Sequence, residues 1–169
     1  RGAFTSQILY VVAEYMNSER TNFRLEKADY DGQRAQILLE SVEPIMSPSW
    51  SPTGRDVAYV SFETELPRIY IQNIATGDRR QITNYPNLNS SPEWSPDGTK
   101  LAMVLSKDGS PDIYVQDLTT NQLIRVTDHP LIDTEPSWTA DSRSIVFMSE
   151  RTGQPQIYQI ELGASSFNV

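Results

Sequence analysis

The sequence predicts an all-β chain folded as a β-propeller of four-stranded antiparallel blades, on three observations. Trp50, Trp94 and Trp138 stand 44 residues apart, Tyr70, Tyr114 and Tyr158 repeat that interval, and the segments between them are short apolar runs set off by turn residues. A period of roughly 40 to 45 residues built from short strands is the mark of a propeller, in which each repeat makes one blade around a central channel.

Aligned at 44 residues, three units also superpose Pro48, Pro92 and Pro136, and Pro67, Pro111 and Pro155, each of the latter closely followed by Ile-Tyr; five positions are identical throughout. The single domain, 1–169, divides into approximate units 1–40, 41–84, 85–128 and 129–169.

Each unit opens on a short strand ending in Trp, as in Ser91-Pro92-Glu93-Trp94, and meets the turn Ser95-Pro96-Asp97-Gly98. Pro presets φ for turn entry and Asp-Gly accepts positive φ, so a hairpin joins strands one and two. The first of the three units carries Ser51-Pro52-Thr53-Gly54, and the last has Thr139-Ala140-Asp141-Ser142, without Pro or Gly.

Strand two is apolar in every unit: Val57–Val60, Leu101–Val104 and Ile145–Met148. Apolar side chains on both faces predict burial on both, as between neighbouring blades. Strand three is Ile69–Ile71, Ile113–Val115 and Ile157–Gln159; strand four, Arg80–Thr83 and Ile124–Thr127, is more polar and suits an outer edge.

The first 40 residues read as a divergent unit lacking its inner strand: Ile8–Val12 as strand two, Phe23–Leu25 as strand three, Asp29-Tyr30-Asp31-Gly32 as a turn and Ala35–Leu39 as strand four. Ser166–Val169 reaches where the last strand four should lie. The chain opens on Arg1 with no initiator Met, charged n-region or apolar h-region, and is expected to be a piece of something longer. Such an open arc would leave sticky edges, and self-association is expected.

Composition narrows the partners. Net charge is -8 and the pI about 4.6, a field that repels phosphate backbones and anionic surfaces, so nucleic acid is not an expected ligand. There is no cysteine, hence no disulfide, thiolate nucleophile or thiolate metal site. No apolar run approaches the roughly 18 residues of a membrane span.

The tandem Pro-x-Trp-Ser-Pro-Asp-Gly and Ile-Tyr-x-x-Asp-Leu motifs resemble those of the WD40-like propeller of the TolB family, the periplasmic component of the Tol-Pal system. The resemblance extends to Arg1-Gly2-Ala3-Phe4, Asp29-Tyr30-Asp31-Gly32, Met46-Ser47-Pro48 and Thr134-Glu135-Pro136-Ser137-Trp138, and covers essentially the whole chain. It implies a six-bladed parent preceded by an N-terminal α/β domain, of which about four blades are present here. It implies no reaction and no cofactor. It implies binding of the lipoprotein Pal at the channel mouth, contact with TolA through a region absent from this chain, a periplasmic location, and a role in outer-membrane integrity and cell division. The alternative is the non-catalytic propeller of a prolyl-oligopeptidase-like or tricorn-type serine peptidase, whose repeat is similar.

The family's partner-binding positions fall on the connections from each outer strand to the next inner strand, residues 40–48, 84–92 and 128–136. The residues that match are Met46 and Ser47, then Leu88, Asn89 and Ser91, then Thr134 and Glu135. Leu88 stands where relatives have a histidine, which implies an apolar contact. Leu88, Leu131 and Ile132 are apolar residues at loop tips, which suits a protein contact.

Other residues take ordinary structural readings. The Trp and Tyr residues are expected between blades, with the Tyr hydroxyls bonded to a neighbouring blade. His129 is the only histidine, and no Gly-x-Ser-x-Gly elbow exists to give it a nucleophile to serve; zinc fails for want of ligands. Asp29, Asp31, Asp133 and Glu135 lack the alternating register of a calcium loop, and are expected in turns and on a solvated face.

Overall fold

A computed structural model describes residues 6–17 and 20–163, all of them in strands, turns and loops. Four antiparallel sheets follow one another along the chain. The first holds β1 (Gln7–Asn17), β2 (Arg20–Asp29) and β3 (Gln36–Ser41); the second β4 (Ile45–Trp50), β5 (Asp56–Thr64), β6 (Leu66–Asn73) and β7 (Arg79–Gln81). The third holds β8 (Asn89–Trp94), β9 (Lys100–Leu105), β10 (Asp112–Asp117) and β11 (Leu123–Arg125); the fourth β12 (Asp133–Trp138), β13 (Ser144–Ser149) and β14 (Gln156–Glu161). Order within each sheet is sequential, so every blade is a meander, and the first begins at strand two as expected. The expectations for Arg1–Phe4 and Ser166–Val169 lie outside the described residues.

The three cores lie between blades. Leu25 of the first blade meets Ile45, Val57, Tyr59 and Tyr70 of the second. On the opposite face of the second blade, Ala58, Val60, Ile69 and Ile71 meet Trp94, Leu101, Met103, Leu105 and Tyr114 of the third. The other face of the third, Ala102, Val104, Ile113 and Val115, meets Ile145, Phe147, Tyr158 and Ile160 of the fourth. Alternate residues of one strand thus serve two interfaces, which explains why strand two is apolar throughout. In β13 the apolar residues Ile145 and Phe147 are buried against the third blade, whereas Val146 and Met148 on the opposite face are half-buried. The tryptophans sit in these interfaces, each packed against the preceding blade, and the Trp138 indole donates to the Glu93 carbonyl there at 3.0 Å.

The hydroxyls of Tyr70 and Tyr114 differ from expectation, finding partners within their own blade: Tyr70 donates to Gln81 and Tyr114 to Asp108 at 2.7 Å. A cation lies over each ring, Arg79 over Tyr70, Lys107 over Tyr114 and Arg151 over Tyr158, at 4.6, 5.2 and 4.5 Å from the centroids. Strand four is also shorter than read. Thr83 and Thr127 fall just past β7 and β11, where their hydroxyls accept the buried amides of Ile69 and Ile113 at 3.0 and 2.9 Å.

The Asp-Gly turn persists even where Asp-Gly does not. In the third blade the Ser95 hydroxyl donates to Asp97 at 2.7 Å and accepts the Lys100 amide at 2.9 Å; in the fourth, Thr139 makes the same pair of bonds with Asp141 and Ser144 at 2.6 and 3.0 Å. Ser142 then takes the left-handed φ of 60° that Gly98 supplies one blade earlier, and its hydroxyl accepts the Asp97 amide at 3.1 Å, joining the two turns.

Candidate functional site

Each inner strand carries the same irregularity. Register slips between Met46 and Ser49, Ser90 and Glu93, and Thr134 and Ser137, leaving Ser47-Pro48, Ser91-Pro92 and Glu135-Pro136 as bulges. Proline has no amide to give a ladder, so it belongs where pairing is interrupted. The residue before it is left-handed in all three, with φ of 49°, 49° and 54° at Ser47, Ser91 and Glu135. None of these is glycine, and non-glycine residues pay for that conformation.

The bulges bring the three inner strands to one groove of 240 Å³, lined by Ser47, Pro48, Ser91, Pro92, Glu93, Glu135 and Pro136. Glu93 is a lining residue that the sequence reading did not single out. Burial pushes its carboxyl above the ordinary range, and the Ser49 hydroxyl, donating from the preceding blade at 2.9 Å, offsets part of that.

The connections between blades are fixed by one recurring bond. The amides of Phe62, Ser106 and Glu150, at the ends of strand two, donate to the carbonyls of Pro44, Leu88 and Ile132 at 3.1, 3.2 and 3.1 Å. These connections therefore share a face with the hairpins between strands two and three. On it Met46, Leu66, Leu88, Leu131 and Ile132 are exposed by 52, 45, 36, 42 and 41%.

Of the seven positions singled out from sequence, Met46, Ser47, Leu88 and Glu135 are exposed, and Ser91 and Thr134 are half-buried. Asn89 differs. It is fully buried, its amide donating to the Tyr85 and Asn87 carbonyls at 2.9 and 3.1 Å, so it shapes the loop and offers no surface to a partner. Asp133 departs from the solvated-face reading in the same way: it is fully buried and paired with Arg151 at 3.1 Å. Asp29 pairs with Arg34, and Asp31 accepts the Gln33 amide, as turn residues do. Among the described residues no group of three or more His, Cys, Asp or Glu side chains is placed to hold a metal ion. No described helix is long and apolar enough to cross a membrane.

The model of the TolB beta propeller domain matches residues 1–169. The Tol-Pal system protein TolB of Pseudomonas putida is 53% identical over 91 residues, which are 54% of this chain and 21% of that protein. The crystal structure of TolB from Acinetobacter baumannii superposes with a TM-score of 0.88 at 40% identity, over 99% of this chain and 42% of that one. Both matches therefore span less than half of the relative's own length. A puromycin-hydrolysing peptidase from Mycobacterium tuberculosis shares the fold alone, with a TM-score of 0.68 at 17% identity over 94% of this chain and 28% of its own.

Proposed function

The chain belongs to the TolB β-propeller family, and on that premise we propose that it is a non-catalytic, protein-binding propeller of the periplasmic Tol-Pal complex. Its partner is the lipoprotein Pal, bound on the face formed by the connections between blades, and the complex supports outer-membrane integrity and cell division. TolA is engaged through a region outside this chain.

The observation that carries the reading is the thrice-repeated connection. In the second, third and fourth blades a backbone bond and a proline bulge recur at the connection, and the loops present Met46, Leu88, Leu131 and Ile132 together with Ser47, Ser91, Thr134 and Glu135. Apolar side chains on a rigid rim beside polar groups have the composition of a protein contact. Asn89 supports the site from beneath.

Immobilised Pal tests this. The protein in solution is expected to bind it, and Leu88→Asp to weaken that binding at least tenfold while unfolding within about 0.5 kcal/mol of the parent, as exposed substitutions do. Equal affinity of the two proteins would remove Leu88 from the contact, and no binding by either would remove Pal.

A further inference from the structure

The connection 128–133 is held differently from its counterparts, and the difference is chemical. The His129 amide donates to the Asp112 carboxylate at 3.1 Å, and its carbonyl accepts the Ser110 hydroxyl. Its ring is used too: Nδ1 accepts the Leu131 amide at 3.1 Å. An amide can only donate, so Nδ1 serves as the acceptor in this bond. Two repeats earlier the same bond runs from the Glu43 amide to the Ser41 hydroxyl at 2.9 Å. Positions 41 and 129 therefore close the same small turn, one with a group that does not titrate and one with a group that does.

We infer that His129 is a positioning residue that makes presentation of Leu131 dependent on pH. A proton on Nδ1 turns an acceptor into a donor facing another donor, and the turn that holds Leu131 opens. Ile132 stays anchored, because its carbonyl accepts the Glu150 amide and the next amide, of Asp133, donates to Pro111. The switch thus acts on one apolar contact of the rim. The inference rests on the reading of that face as the partner surface.

The charged groups on the elements packed around this loop are Asp112 of β10, Arg125 of β11 paired with both Asp112 and Asp128, Lys107 and Asp108 of the preceding hairpin, and Asp133, Glu150 and Arg151 of the fourth blade. His129 is the sole histidine of the chain, and a histidine ring nitrogen is the group among them that a proton converts from acceptor to donor.

The test pairs wild type with His129→Ser, which installs the chemistry of Ser41. With the soluble domain of Pal as probe, calorimetry is expected to give roughly fivefold weaker binding at pH 5.5 than at pH 7.5 for wild type, the cost of about one hydrogen bond. His129→Ser is expected to hold its affinity across that range. Amide NMR of free wild type is expected to show the Leu131 resonance moving, and its hydrogen exchanging faster than the intrinsic pH dependence allows, between pH 7.5 and pH 5.5. The same pH loss in His129→Ser, or a Leu131 amide unmoved through that range, overturns the inference. Failure of wild type to bind Pal at pH 7.5 overturns the partner assignment instead, and the NMR result still decides the role of His129.

Discussion

The Ser49 hydroxyl donates to the Glu93 carboxylate at 2.9 Å, joining one inner strand to the next across a blade boundary. Position 49 of one repeat is position 93 of its successor, so the bond links equivalent sites around the axis. It also offsets part of the rise in carboxyl pKa that burial causes at Glu93.

That conflict predicts a pH effect. Burial raises the folded-state pKa of Glu93 above the ordinary carboxylate range, so the native state binds its proton more tightly than the unfolded chain does. The group therefore costs stability above the folded pKa and the cost is relieved as pH falls through it. Glu93→Gln, which can still accept from Ser49, is expected to raise the melting temperature by roughly 1–2 °C at pH 7, with the gain vanishing toward pH 4. Calorimetric melts across pH check it.

Tyr59 ties two blades through a chain of bonds. Its buried hydroxyl donates to Gln72 at 2.9 Å and accepts from Arg79 at 2.6 Å, while the Gln72 amide donates to the Leu38 carbonyl of the first blade at 2.8 Å. Burial pushes the hydroxyl's pKa up to about 12, so it remains a donor at any physiological pH. Tyr59→Phe leaves Gln72 and Arg79 short of a partner and is expected to cost about 1–3 kcal/mol in denaturant unfolding.

The left-handed residues separate fold from binding. At Ser91, with φ of 49°, Ser91→Gly relieves a cost of about 1 kcal/mol but loosens the unfolded chain by a similar amount. Stability is expected to change by less than about 1 kcal/mol, while a β-branched Ser91→Val costs roughly 1–3 kcal/mol. Chemical denaturation of both variants measures the difference.

Much of this was legible in the repeat because the interval that aligns the tryptophans also aligns the proline bulges and the loop anchors. A proline in a strand signals interrupted pairing, a signal that Pro48, Pro92 and Pro136 carried and that the reading of these segments as plain strands did not use. What escaped depends on side-chain direction. Asn89 and Leu88 are neighbours in a polar loop, and one points into the protein while the other points out. The fourth-blade turn lost Pro and Gly yet kept its shape, because the Thr139 and Asp141 bonds carry it. Thr127 reads as strand, but its hydroxyl replaces the ladder by accepting the Ile113 amide.

The central claim is that the loops before the inner strands bind Pal, and titration calorimetry with the soluble domain of Pal tests it most directly. The parent is expected to bind saturably, and alanine variants at Leu88, Thr134 and Glu135 to weaken binding by about 1–2 kcal/mol each while melting where the parent does. Undiminished affinity in all three variants, or no binding by the folded parent, would contradict it.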